Sequence, residues 1–286
     1  MTPSPSHSQA YSEDALVEQP AIEVFAILGW DTTNLYGEWS GAVSSEERQT
    51  QQDVVLVRRL QVALEKLNPD LPVDALEKAI EELTRDRSKL LPVNANLEVY
   101  RLLKDGVKVE VSEKDGGTAV ETVRVIDWAE PEKNDFLLAS QFWVRGELHT
   151  RRTDLVGFVN GLPLLFVELK ASHKTLKAAY DGNLSDYRSV IPQLFTFNAM
   201  VVLSNGSGTL VGSTFAPWEH LFEWKRINDE GERGVVSLET AIRGIAERTR
   251  LLDIVENFTV FEEAQGGTIK KIAKNHQYLG VNKAIA

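Results

Sequence analysis

Residues 153–170 read TDLVGFVNGLPLLFVELK. Two apolar runs flank Asn160-Gly161, a dipeptide suited to the left-handed backbone of a tight hairpin turn. Leu155, Val159, Leu165 and Val167 fall on one face of the expected strand pair, and Val156, Phe158, Leu164 and Phe166 on the other. Strands that are apolar on both faces belong in a sheet covered on both sides. The polar groups at the open end, Asp154, Glu168 and Lys170, are therefore what needs a reason. Register decides whether they meet. A two-residue turn puts Asp154 opposite Val167 and leaves Glu168 on the other face. A three-residue turn over residues 160–162, or an equivalent bulge, puts Asp154 opposite Glu168 with Lys170 two residues on, and this is the register we expect. Opposed β-carbons lie roughly 4.5–5.5 Å apart, close enough for two carboxylates to share one cation. Two hard oxygen ligands suit Mg2+, which lowers the pKa of bound water and offsets charge on a phosphate. A lysine beside the attacking water can orient it or stabilise the transition state. The three residues thus form a minimal site for phosphodiester hydrolysis.

Outward from this hairpin, apolar residues recur every three or four positions over residues 15–30, 46–67, 73–83 and 95–103, which predicts four helices. Strand patterns cover residues 107–111, 119–127, 136–144, 154–159 and 164–168. A helix is expected over 176–191, ending before Pro192, and strands over 200–203 and 209–213. A charged stretch at 228–232 suggests a border; a helix-rich segment follows at 238–258, and residues 268–286 read as basic and then helical. The expected class is α/β, a mixed central sheet flanked by helices, with N-terminal helices and a helical C-terminal extension. Residues 1–14, MTPSPSHSQAYSED, read as a disordered tail, 15–227 as the main domain, and 228–286 as the extension.

With 286 residues the chain can bury one good-sized core plus an appendage. It has no cysteine, which excludes disulfides and thiolate metal sites and agrees with a cytoplasmic location. No apolar run approaches the ~18 residues of a membrane span, and the first residues lack the apolar core of a signal peptide. A net charge of −11 argues against a general nucleic-acid coating protein. It leaves room for an enzyme that gathers its acidic residues away from DNA or borrows affinity from partners.

Arg152-Thr153-Asp154, the run VNGLPLLFVELK (159–170) and the run IPQLFTFNAMVVLSNG (191–206) resemble the PD-(D/E)xK nuclease domain of type I restriction enzyme R subunits. The resemblance continues through LNPDLP (67–72), PEKNDFLLASQF (131–142) and EWKRI (223–227), and covers the chain from about Glu18 onward. It implies Asp154 and Glu168 as Mg2+ ligands and Lys170 as the catalytic lysine. It also implies an N-terminal helical glutamate near the metal, for which Glu18 is the choice and Glu23 the alternative. Such subunits often carry Gln-x-x-x-Tyr on the helix after the lysine; here Asn183 replaces the glutamine and Tyr187 matches the tyrosine. The run KKIAKNHQYLGVNKAIA (270–286) is similar to the segment leading into an ATP-driven motor, where Gln277 matches an adenine-reading glutamine. No GxxxxGK[ST] phosphate loop follows, so the resemblance implies that ATP is held only by a longer, full-length subunit.

Arg145, Arg151, Arg152, Lys174 and Lys177 surround the expected site and are candidates for contacts to double-stranded DNA, Arg152 and Lys174 foremost. His149 has no partner histidine, which argues against metal ligation; Trp218 and Trp224 read as packing residues. The resemblance implies an endonuclease that cuts after ATP-driven translocation and works with modification and specificity subunits. A stand-alone repair or junction nuclease and a non-catalytic docking module are the rival readings. The motor-like terminus opposes the first, and the intact triplet opposes the second.

Overall fold

The computed structural model describes residues 17–39, 48–112, 117–228 and 230–285. Helix α1 (Gln19–Ile27) leads into β1 (Asp31–Asn34), and α2 (Val57–Leu67), α3 (Val73–Thr84) and α4 (Pro92–Asp105) follow. A hairpin of β2 (Val107–Ser112) and β3 (Thr118–Val123) precedes three long strands, β4 (Phe136–Arg145), β5 (Thr150–Val159) and β6 (Leu162–Leu169). Short helices α5 (Leu176–Ala178), α6 (Ser185–Val190) and α7 (Pro192–Phe197) cross to β7 (Met200–Ser204) and β8 (Thr209–Ser213). The chain continues through α8 (Ser237–Ile245), α9 (Arg248–Asn257), the hairpin of β9 (Thr259–Ala264) and β10 (Gly267–Ile272), and α10 (Asn275–Ile285). The expected tail at residues 1–14 lies outside the described residues.

Six strands make one mixed sheet in the order β1-β4-β5-β6-β7-β8. Strands β4, β5 and β6 run antiparallel to one another, β1 is parallel to β4, and β7 is parallel to β6. The parallel β6–β7 step requires a crossover, which the helical stretch α5–α7 provides. Every residue of β6 is buried, as an apolar strand covered on both faces must be. The α/β class with a helix-flanked mixed sheet is therefore the observed one.

The hairpin reaches the expected register by a different device. Val159 pairs with Leu162, so the turn has two residues, Asn160 and Gly161, both at positive φ (51° and 76°). Phe158 then pairs with Pro163 but Gly157 with Leu165, which leaves Leu164 as an extra residue on β6. Pro163 has no N–H to give the ladder, and a bulge is where a strand tolerates that loss. The Leu164 carbonyl instead accepts from Ala199 N–H (2.7 Å) and Asn198 Nδ2 (3.1 Å). Beyond the bulge Leu155 pairs with Val167, and one step further the same register sets Asp154 beside Glu168. The turn itself is buried. Asn160 donates to the Val125 carbonyl and to Asn134 Oδ1 (both 2.8 Å), and the Gly161 carbonyl accepts from Leu56 N–H at 2.9 Å.

Elsewhere the structure shifts several boundaries. The helix expected over residues 46–67 starts at Val57; of its first residues, 46 and 47 lie outside the described ones. Arg48 explains the delay. Its guanidinium lies buried on the Glu38 carboxylate and donates to the Asp53 and Trp143 carbonyls (2.7 and 2.9 Å), a geometry that an α-helix over this stretch would break. The strand expected over 119–127 ends at Val123, where the Asn68 amide takes over both backbone bonds of Arg124 (2.8 and 2.9 Å). The helix expected over 176–191 contains a π-helical segment, Ala179–Leu184.

Residues 259–272 form the β9–β10 hairpin, which takes in the basic start of the run 268–286, while the helix expected in that run is α10. One continuous apolar cluster extends from Val17 to Tyr278, so α8, α9 and α10 share the core of the sheet. Trp30 Nε1 donates to the Ala246 carbonyl at 2.9 Å, and Lys270 of β10 points inward. The Lys270 ammonium, in a side chain of a residue only 5% exposed, is met by Asn96 Oδ1 (2.8 Å) and the Asn198 carbonyl (2.9 Å), both neutral oxygens. Burial pushes its pKa down to about 7.

Two expectations follow. In Gly161→Ala, a Cβ would sit 2.5 Å from the Leu56 carbonyl oxygen at a positive φ. The variant should lose about 2–3 kcal/mol, read as a lower denaturant midpoint at unchanged slope. For Lys270, the unfolded chain holds an extra proton between about pH 7 and the ordinary lysine range. Its contribution to stability therefore rises with pH across that window and is lost below it. Lys270→Met should show a flatter stability profile between pH 7 and 10 than the parent chain; parallel profiles would mean that Lys270 keeps its charge.

Candidate active site

Three of the expected residues come together at the end of the central hairpin. Asp154, two residues in from the exposed Arg152 on β5, uses Oδ2 to accept the Leu169 N–H at 2.7 Å. This bond carries the carboxylate across to β6, between Glu168 and Lys170. Glu168 is 0% exposed, and its Oε1 accepts from the Lys170 ammonium at 2.6 Å. Lys170, just beyond β6, prolongs the β6–β7 pairing by donating its N–H to the Ser204 carbonyl at 2.8 Å. A carboxylate this deeply buried needs a partner charge, and Lys170 provides one.

Tyr187 on α6 closes the floor. Its ring meets Phe166 edge-on, with centroids 5.7 Å apart, and its hydroxyl donates to the Arg152 carbonyl at 3.1 Å. Burial, and then the negative charges of Glu168 and Asp154, raise the phenol pKa well above its ordinary value, and a hydrogen bond with the Asn183 side chain opposes the shift. Tyr187 therefore acts here as a neutral donor that fastens β5. Asn183 sits in the π-helical segment and still reaches the tyrosine, despite being one methylene shorter than glutamine. π-helical segments of this kind often occur at functional sites.

Glu18, at the start of α1, is 5% exposed and accepts from Gln141 Nε2 at 2.7 Å, whereas the alternative, Glu23, is exposed. Among the described residues no group of three or more His, Asp or Glu side chains is gathered tightly enough to hold an ion alone. Glu18 is thus tied to Gln141 of β4 rather than gathered with Asp154 and Glu168 into one such group. Sequence reasoning missed Gln141. The available signal was one long amide side chain interrupting the apolar run FLLASQFWV (136–144).

The surrounding cations have separate tasks. Arg152 lies over the rings of Tyr36 (5.0 Å) and Trp143 (5.4 Å) on an exposed patch beside β5. Arg151 forms a two-pronged pair with Asp186 (2.5 and 2.9 Å), which raises the arginine's pKa and lowers the aspartate's. Lys177 pairs with Asp181 at 2.6 Å and stacks on Tyr180 and Trp218. Lys174 is exposed on the turn after β6, and Asn205 Nδ2 donates to its carbonyl. Gln277 lies at the far end of the chain, where its Oε1 accepts from Lys274 N–H at 2.8 Å, half of a capping box for α10. The structure does not bring Lys174 or Gln277 into contact with the acidic pair. Trp224 is buried, as expected.

A helix-flanked mixed sheet with an acidic pair and a lysine on adjacent central strands is a restriction-endonuclease-like core. The family described as "Type I restriction enzyme R protein N terminus" matches residues 10–220, and the chain belongs to it. The type I restriction enzyme HindI endonuclease subunit of Haemophilus influenzae is 32% identical over 281 residues, a match covering 94% of this chain and 26% of that protein. A putative type I restriction enzyme endonuclease subunit of Methanocaldococcus jannaschii, MjaIXP, is 27% identical over 300 residues, covering 96% and 27%. The chain thus spans about a quarter of the length of these relatives.

The raised pKa of Tyr187 gives a direct measurement. In an ultraviolet titration of the folded chain, Tyr187→Phe should remove none of the tyrosinate signal that appears below pH 11. Loss of one tyrosine's signal there would place the phenol in water and away from the carboxylates.

Proposed function

We propose that this chain is the endonuclease module of a type I restriction R subunit, hydrolysing DNA phosphodiesters at Asp154, Glu168 and Lys170. The observation that carries this reading is the bulged register, which sets Asp154 beside the buried Glu168 with Lys170 on the same carboxylate. The donor set fits Mg2+. Two adjacent carboxylates offer hard oxygens, and Mg2+ is usually held by one or two carboxylates with waters and phosphate oxygens completing its shell. Bound there, it would supply Lewis acidity to the phosphate and a more acidic water.

The chain's own groups do the rest. The Leu169 N–H fixes the Asp154 carboxylate in orientation. The Lys170 ammonium is placed to orient an attacking water and to offset charge growing on the phosphate. Arg152, over the rings of Tyr36 and Trp143, presents its guanidinium about two residues, or ~7 Å, along the strand from Asp154, one phosphate contact on double-stranded DNA. Lys174 adds an exposed charge on the turn beyond β6.

ATP-driven translocation belongs to the longer subunit in this reading, with Gln277 contributing to adenine recognition only there. Sequence recognition falls to modification and specificity subunits, which fits a module with a net charge of −11. No described helix is long and apolar enough to cross a membrane.

The test uses the complete subunit assembled with its partners. Asp154→Ala and Lys170→Ala should each lower DNA cleavage by about 10²–10³-fold or more while ATP hydrolysis stays at the parent rate. Undiminished cutting by either variant would sink the assignment.

A further inference from the structure

Strand β4 pairs regularly with β5 on either side of one position. Ser140 faces Leu155 and Phe142 faces Thr153, but the residue between them, Gln141, is left out of the pairing. The β5 residue between those two partners is Asp154. Gln141 adopts φ 58°, a left-handed backbone in the middle of a ten-residue strand. Of the non-glycine residues described, only Asn160 of the hairpin turn shares a positive φ, and a turn requires it where a strand interior does not. An observed outlier of this kind, held by a well-packed strand next to candidate catalytic groups, invites a functional reason.

The side chain supplies one. Gln141 Nε2 donates to Glu18 Oε2 at 2.7 Å, and Glu18 is almost wholly buried at the start of α1. The amide thus joins a buried carboxylate on one helix to the strand position directly across from Asp154. Its chemistry matters as well. An amide holds a carboxylate by a neutral N–H and leaves its negative charge available to a cation. A lysine or arginine in the same place would cancel that charge and compete with a metal ion.

We infer that Gln141 is a positioning residue, whose left-handed backbone and amide aim the Glu18 carboxylate at a divalent ion held by Asp154 and Glu168. The inference rests on the proposed reading of that pair as ion-holding, and the experiment separates the two. Gln141→Gly removes the amide yet accepts the left-handed backbone without strain, so a change in binding reports the lost amide and not a disturbed backbone. Mn2+ alone is titrated calorimetrically into the 286-residue chain and its variants, with thermal melts alongside.

Asp154→Asn should abolish binding. Gln141→Gly should weaken it about tenfold while still melting in one cooperative transition, and Glu18→Gln by a similar factor. In Glu18→Gln, the further change Gln141→Gly should cost nothing more, because Gln141 acts only through Glu18. Parent-like affinity in Gln141→Gly, with binding lost in Asp154→Asn, would overturn the positioning role and keep the site. Additive losses in the double variant would overturn it as well. Parent-like binding in Asp154→Asn would overturn the site and this inference together.

Discussion

Pro163 cannot give a hydrogen bond to its neighbouring strand, and the sheet accommodates that by letting Leu164 bulge out of the pairing. Side chains alternate between faces with a period of two, so one extra residue exchanges the faces of everything beyond it. Without the bulge the two-residue turn would put Asp154 against Val167, and Glu168 would point to the opposite side. With it, Asp154 stands beside Glu168, and its carboxylate reaches the Leu169 N–H on the strand that carries the Glu168–Lys170 pair. The candidate site is therefore a consequence of register, and the register of one proline and one extra leucine.

The protein buries its charges in three different ways. Glu38 and Arg48 form a closed pair, each with a side chain 0% exposed, and the guanidinium also ties two backbone carbonyls. Glu168 is equally buried, but its lysine partner remains 18% exposed and keeps a path to solvent and to an incoming phosphate. Lys270 faces neutral oxygens and holds its proton weakly. Of the three, only the second pairs a buried carboxylate with a cation that itself reaches solvent. That is the difference between a structural ion pair and a reactive one.

Much of this was legible in the residues because burial imprints itself on composition. The apolar runs around Asn160-Gly161 announced a central hairpin, and the parity of Asp154 and Glu168 required a bulge or a longer turn. What stayed hidden depends on contacts between distant segments. β1 reads DTTN, with no apolar alternation, because it is an edge strand that buries little. The β9–β10 hairpin sets its charges side by side, Glu262-Glu263 and Lys270-Lys271, which breaks the alternation that would announce a strand, and its Lys271–Glu262 pair forms only once the two strands meet. Helix α2 begins late because Arg48 is claimed by Glu38, Asp53 and Trp143, none of which its own periodicity reveals. Gln141 could be seen as an oddity in an apolar strand, but its tie to Glu18, 123 residues away, exists only in three dimensions.

The bulge also connects the site to the end of the chain. The Leu164 carbonyl freed by the bulge is taken by Asn198 Nδ2, and the Asn198 carbonyl in turn accepts from Asn96, Thr214 and Lys270. Asn198 is 1% exposed and sits between α7 and β7, so it cannot move without disturbing all of these partners. Lys270 lies on β10, and β10 leads through Ile272 directly to α10. A displacement of the C-terminal hairpin would thus be felt first at Asn198 and next at the extra residue that sets the register of Asp154 and Glu168. Buried polar networks of this sort are rigid when every member is satisfied and costly when one is withdrawn. The same hydrogen bonds that hold the last segment onto the core therefore hold the acidic pair in register.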